Sequence, residues 1–292
     1  MKIDWLQDLN PLAEISGGAQ LTDRTHIMAG FRLGHDVVPV TPSESGLLKR
    51  PYDAFILSNV TSFRMDTFQE MIKQGAPFVI FAHDYTCKWR LFYPMQPKCK
   101  SCYLRDRWLP VLQASRLIVW LSPLHRWAWL YMYPELKKHP YVLVPSPVSP
   151  DEFYAKNGER KGVIAVNAAL AFKGRDNFIN WAKEHPDIAI THVGQEDATL
   201  PSNITCVGVK TPFEMNDLYN KHETLVHLPN TPQPCERVVL EAYLAGCKII
   251  GNRLIGALSY RWFKSRDLVA RHVREAPKRF WDAVEKAVGG RD

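Results

Sequence analysis

The chain has 292 residues, of which 46% are hydrophobic and 23% charged, a balance that supports packed cores and excludes a largely disordered polypeptide. The formal net charge is +7, and no run reaches the roughly 18 to 20 uninterrupted apolar residues of a membrane-spanning helix, since Pro123, His125 and Arg126 break the best contender. Asp4 stands where a secretion signal would continue its apolar run, so the expected location is cytoplasmic.

The first half reads as strands alternating with helical stretches. Ile3 to Leu6 is a short strand, and Gly17-Gly18-Ala19 opens a helix that runs to about Leu33. Gly34 ends that helix, and Asp36 to Val40 is the next strand. Ala54 to Leu57, Phe78 to Phe81 and Leu117 to Leu121 are compact apolar runs of the kind that fill a parallel sheet. Strands spaced by helices imply βαβ units and a doubly wound α/β domain over about 1–147.

Three prolines in 144–150, followed by polar residues, read as a linker over 148–160. The alternation then restarts. Strands are expected at 162–166, 188–193, 204–207, 224–228 and 248–250, and helices at 176–184, 212–220 and 238–245. This second domain spans about 161–270. The tail, 271–292, holds an amphipathic helix over 278–288 that carries Phe280, Trp281, Val284 and Val288 on one side, and it is expected to pack back toward the first domain. Two such domains would bound a cleft, with ligands at the carboxyl ends of the strands.

The run from Pro234 to Cys247, with Glu241-Ala242 and Gly246, resembles the donor-site signature of glycosyltransferase family 4, in which two glutamates lie eight positions apart. Glu241 matches the second, which in that family contacts the nucleotide ribose. The first falls on Gln233, which keeps the size and hydrogen-bonding capacity of a glutamate without its charge. Glu236 is a nearby carboxylate, and Arg237 a nearby cation. Other landmarks follow in order: the Gly17-Gly18-Ala19 loop, His83-Asp84 at a strand end, Ser122-Pro123-Leu124-His125, Phe172-Lys173-Gly174 and the Gly194 turn. The resemblance spans about residues 2–260. The family's usual arginine five positions before the lysine is absent, since Ala168 stands there, and Arg175 or Arg237 would have to supply that charge.

The resemblance implies a GT-B fold, two Rossmann-like domains facing a cleft, and a hexosyltransferase using a UDP-type nucleotide sugar with retention of configuration. It assigns donor binding to Gly17, Gly18, Lys173, Gly194, Glu236, Arg237 and Glu241, and catalysis to His83, Asp84 and Gln233. The physics agrees. A Gly-Gly loop at a helix start brings backbone N–H groups and the helix dipole to a diphosphate. Lys173 puts a cation where the leaving diphosphate gathers charge. No Asp-x-Asp occurs in the sequence, so no catalytic metal is expected.

Between Lys88 and Lys138 there are ten bases and two acids, more surplus charge than the whole chain carries. Ten aromatic residues are interleaved with them. Cations with flat rings suit a nucleic acid, and Lys88, Arg90, Arg105 and Arg107 are the acceptor contacts this suggests. The leading expectation is therefore DNA bearing a hydroxymethylated base, as in the small virus-encoded transferases that the compact chain resembles. A lipid-linked or cell-surface glycan at a membrane face is the alternative. A non-catalytic nucleotide-sugar or nucleic-acid binding module is the reading from another class.

Cys99 and Cys102 have chelate spacing and Cys87 lies twelve residues earlier, so a structural zinc with His83 or His125 as fourth ligand stands beside free thiols. Cys206, Cys235 and Cys247 read as core.

Overall fold

The computed structural model describes residues 1–13, 17–43, 51–85, 103–195 and 199–289. The chain divides into two compact units, Met1–Pro147 with Glu275–Asp292, and Val148–Arg274.

Unit 1 is built on a six-stranded sheet: β1 (Lys2–Leu6), β2 (Asp36–Val40), β3 (Ala54–Leu57), β4 (Phe78–Ala82), β5 (Leu117–Trp120) and β6 (Tyr141–Leu143). The strand order is β2-β1-β3-β4-β5-β6 and every neighbouring pair is parallel. β3, β4 and β5 are buried along their whole length, as their unbroken apolar runs require of a sheet covered on both faces. The strand order reverses between β1 and β3, which makes their carboxyl ends the natural place for a ligand.

Helix α1 (Gly18–Arg32) covers one face together with α9, the C-terminal helix (Ala276–Gly289). Trp281 lies on Gly30, where a Cβ would come within 2.4 Å of the indole, and its Nε1 donates to the His26 carbonyl at 2.8 Å. Phe280 packs on Trp5 and Phe81 from the sheet. The other face carries the larger core, where Phe55, Phe78 and Trp120 meet Phe68 of α2 (Met65–Lys73), Trp108 of α3 (Tyr103–Ala114) and Trp129 of α4 (Pro123–Met132). Ser122 caps α4 by accepting from the His125 N–H at 3.0 Å, with Pro123 in the first turn.

Unit 2 has five strands, β7 (Val163–Val166), β8 (Ile190–Val193), β9 (Ile204–Cys206), β10 (Thr224–His227) and β11 (Lys248–Gly251). They run in the order β11-β10-β7-β8-β9, again all parallel. The reversal falls between β7 and β10. The helices are α5 (Arg175–Glu184), α6 (Pro212–Lys221), α7 (Arg237–Leu244) and α8 (Arg266–Arg274). Thr211 opens α6 with a reciprocal cap: its N–H donates to the Glu214 carboxylate at 2.8 Å while its hydroxyl accepts from the Glu214 N–H. Phe178, Ala182, Val163, Ile190 and Val226 form the core.

Three departures from the sequence reading have physical reasons. β6 is a three-residue edge strand, too short for its own periodicity to announce it. α8 is arginine-rich, and only Val269 and Val273 mark its buried stripe. The residues read as a linker are packed structure: Phe153 is buried, the Tyr154 N–H donates to Asn216 Oδ1 at 3.2 Å, and Lys156 pairs with Asp217 of α6 at 2.6 Å.

Candidate functional site

In unit 2 the polar groups converge on the strand-order reversal. β7 ends at Val166, and Asn167 follows with a left-handed φ of 51°. The chain then makes a short 3-10 turn at Ala171–Lys173. Gly174 closes that turn at φ 88°, and a Cβ there would stand 2.0 Å from the Leu228 carbonyl oxygen. Only glycine lets the turn lie against the end of β10 and hold Lys173 in place.

On the facing side, the loop after β10 is tied down along its length. Asn230 donates to the Ala171 carbonyl at 3.2 Å, Asn252 donates to the Pro229 carbonyl at 2.7 Å, and the Gln233 N–H donates to the Leu254 carbonyl at 2.8 Å. These bonds place Gln233 and Glu236 beside the lysine. Lys173 Nζ donates to Gln233 Oε1 at 3.1 Å and lies 3.6 Å from Glu236 Oε1. His227, the last residue of β10, brings its Nε2 to 3.8 Å from the same carboxylate oxygen.

Glu236 is buried, which by itself pushes its carboxyl up. The His227 imidazole and the Lys173 ammonium outweigh burial and hold it below the usual carboxylate value. Among the described residues its second oxygen, Oε2, has no hydrogen-bond partner, nor has His227 Nδ1, while His227 Nε2 faces the first oxygen. Buried polar atoms almost always find partners, so Glu236 Oε2 and His227 Nδ1 leave hydrogen-bonding capacity beside a partly exposed lysine.

Glu241 lies one turn into α7, buried, with Oε1 3.3 Å from Arg237 Nη2. Burial raises its carboxyl above the ordinary value, and Arg237 opposes that only in part. Gly194 follows β8 at φ 143°, and a Cβ there would meet Asn167 Oδ1 at 2.8 Å, so the turns after β7 and β8 abut. Ala168 is buried, and Arg175 hydrogen-bonds Thr199 Oγ1.

In unit 1, Gly17 is extended (φ −173°) and, as a glycine, offers no side chain to cap the first N–H groups of α1. His83 follows β4. Its Nε2 is 2.7 Å from Asp23 Oδ1, and Asp23 Oδ2 accepts from the Ser58 hydroxyl at 2.7 Å. Burial alone would lower the His83 pKa; the Asp23 carboxylate outweighs it and raises the imidazole above its ordinary 6.5. His125 behaves in the opposite way. Burial drives it down to about 3, so it is neutral, and its Nε2 accepts from the Trp129 indole at 2.9 Å. A small cavity at the ends of β3 and β4 is bordered by Ser58, Thr61, His83, Asp84, Tyr85 and Trp108.

The structure thus brings together Lys173, Gln233 and Glu236, with Arg237 and Glu241 adjoining on α7. It adds His227, Asp23 and Ser58, which the sequence reading did not single out. His227 was signalled only as a polar residue closing an apolar strand, and Asp23 as an acid on the inner stripe of α1 beside Thr22, His26 and Ile27.

Arg105 is not a free acceptor contact. It bonds the Glu135 carboxylate and donates to the Met132 carbonyl at 2.9 Å, whereas Arg107 is exposed. Lys88, Arg90, Cys87, Cys99 and Cys102 lie outside the described residues, and His83 and His125 are engaged with Asp23 and Trp129. Among the described residues no group of side chains could hold a metal ion. Cys235 and Cys247 are buried thiols, with Cys247 pushed up to about 11 by burial, while Cys206 is only half-buried at 3.5 Å from His192 Nδ1.

Neither a protein-family model nor a curated protein matches the sequence. Solved structures do match along almost the whole chain. Sucrose-phosphate synthase from Thermosynechococcus elongatus is 13% identical, with 99% of this chain and 95% of that one covered and a TM-score of 0.69. The Anabaena protein HepE in complex with UDP and glucose is 14% identical, with 99% and 93% covered and a TM-score of 0.62. An alpha-glucosyltransferase in complex with UDP and a 13-mer DNA containing a modified base is 14% identical, with 99% and 94% covered and a TM-score of 0.59. At these identities the likeness establishes the fold: the chain has the GT-B architecture of two parallel-sheet, Rossmann-like units.

Proposed function

We propose that the protein is a glycosyltransferase that moves a hexose from a UDP-type nucleotide sugar to a hydroxyl acceptor. The observation that carries this reading is the Lys173–Gln233–Glu236 cluster at the strand-order reversal of unit 2, where a half-exposed cation adjoins a buried carboxylate oxygen and an imidazole with unfilled hydrogen-bonding capacity.

Lys173 neutralises charge on the departing nucleotide diphosphate, which is worth most in a site shielded from water. Glu236 and Gln233 accept from sugar hydroxyls, and Glu241 accepts from the ribose. In unit 1 the start of α1 at Gly17 and Gly18 turns backbone N–H groups and the positive end of the helix dipole toward an anion. His83, whose imidazole Asp23 raises above its ordinary value, favours a negatively charged or hydroxyl-rich ligand near it, and Asp84 assists the acceptor hydroxyl. Charge compensation by side chains and a helix terminus needs no metal. The solved structures similar in fold include ones holding UDP or UDP-glucose, which supports the donor class.

For the acceptor we infer a polyanion, specifically DNA with a hydroxymethylated base. Arg107, Arg116, Lys137 and Lys138 are exposed in the basic stretch of unit 1, and one protein of similar fold is described with DNA bound. The test is incubation with UDP-glucose and other nucleotide sugars against hydroxymethylcytosine DNA and unmodified DNA, read by nucleoside mass spectrometry. A hexose mass on the modified base alone is the expected result. Slow UDP release without transfer would retain the donor reading and overturn the acceptor; neither release nor transfer with any donor would overturn both.

A further inference from the structure

Unit 2 carries a second basic surface, well separated in sequence from the first. Residues 253–274 contain six bases, Arg253, Arg261, Lys264, Arg266, Arg271 and Arg274, against one acid, Asp267. All six bases are exposed. Arg274 pairs with Asp151 at 2.9 Å, and Arg266 donates to the Tyr243 carbonyl at 2.8 Å. Among the described residues, Arg253, Arg261, Lys264 and Arg271 have no carboxylate partner.

Rigid rings back these cations. Trp262 stacks on Tyr260 at 4.3 Å and on His272 at 4.8 Å, Phe263 packs on Tyr243 at 4.6 Å, and the Arg266 guanidinium lies 5.5 Å from the Tyr243 ring. The rings fix the loop between β11 and α8 against α7, so the side chains beside them project from a firm support. None of the strongly exposed large apolar side chains falls within 253–274. A lipid-inserting surface needs apolar groups that protrude; this band presents charge, and five of its six bases are arginines, whose forked donors fit phosphate oxygens in pairs.

We propose that this band binds the phosphate backbone of a nucleic-acid acceptor, in addition to the contacts inferred for unit 1. It rests on the polyanionic acceptor inferred above, and it assigns unit 2 a role beyond holding the donor.

The test is fluorescence anisotropy of a labelled DNA duplex with the full chain, over a range of salt concentrations. The variants are the triple Arg261→Glu, Lys264→Glu, Arg271→Glu and the matching triple to glutamine, with UDP binding measured by calorimetry. Each neutralised phosphate steepens the dependence of log affinity on log salt by about 0.9. Both triples should therefore flatten the slope by roughly 2.7. The glutamate triple should also lose at least about tenfold in affinity at low salt while UDP binding stays unchanged. Should the glutamate triple lose UDP binding too, the glutamine triple decides. A wild-type slope and affinity in a variant that still binds UDP overturns the band alone. A wild-type protein that binds phosphatidylserine vesicles and no duplex overturns the band together with the DNA acceptor, leaving the donor reading standing.

Discussion

A histidine stands at the end of a buried parallel strand in each unit, and the two meet opposite surroundings. His83, just after β4, is bonded to Asp23, which in turn takes the Ser58 hydroxyl, so the carboxylate between them is occupied on both oxygens. His227, closing β10, lies 3.8 Å from Glu236, and among the described residues its Nδ1 and one Glu236 oxygen lack partners. A closed chain of hydrogen bonds rigidifies and leaves little capacity for a ligand. An open one costs stability until something polar fills it. The difference teaches which end is built to be held and which to hold. Unit 1 braces the end of β4 from within, and unit 2 keeps hydrogen-bonding capacity in reserve around Lys173.

Removing the cation from the open cluster should have the largest effect. Lys173→Ala is expected to lower the turnover of UDP release by about 10²–10³, the scale of losing one preorganised charge contact to a leaving group. A turnover within tenfold of wild type would remove Lys173 from the reaction.

The closed chain should answer in stability instead. Asp23→Asn removes the charge that holds His83 above 6.5 and is expected to cost about 3 kcal/mol by urea unfolding near pH 6, the low end for breaking a buried pair because the amide still meets Ser58. The sign follows from the raised pKa. The pair's contribution is complete below 6.5 and fades as pH rises through the higher folded-state value, so variant and wild type should converge in alkaline solution. A constant difference across pH would mean that His83 is not charged in the folded protein. Glu241→Ala comes next, with a loss of at least about tenfold in kcat/KM for the donor, the equivalent of roughly 1.4 kcal/mol. Near-normal activity would break the register that places Glu241 on the ribose.

Much of this organisation was legible in the chain itself. The apolar runs at Ala54 to Leu57 and Leu117 to Leu121 announced buried parallel strands, because few other structures bury four consecutive apolar residues on both faces. Lys173-Gly174 and Glu241 were legible through their resemblance to a known donor motif. Asp23 was not, since an acid inside an amphipathic helix reads as solvated until the partner at His83, 60 residues away, is known. His227 was hidden for the same reason, its neighbour Glu236 lying across a loop. The bases of α8 escaped notice because no run of hydrophobic periodicity framed them. Arg105 misled in the other direction: a basic residue in a basic stretch proved to be tied to Glu135 and Met132.

The smallest effect is also the most discriminating. Gln233→Glu restores the charge that the resemblance leads one to expect, and would set two carboxylates around the single Lys173 ammonium. Like charges in one site raise one of the two pKa values. Glu236, held low now by His227 and Lys173, would share its cation and titrate higher. Near pH 8 both carboxyls remain ionised, and UDP release should stay within about threefold of wild type, since the new charge replaces a group that already accepts from the lysine. In mildly acidic solution the variant should lose activity earlier, its acid limb displaced toward higher pH. An unchanged pH profile would show that Gln233 and Glu236 do not compete for Lys173, and that the open cluster is two neighbouring contacts instead of one site. A displaced limb with wild-type activity above it would tie both residues, through one lysine, to the same departing diphosphate.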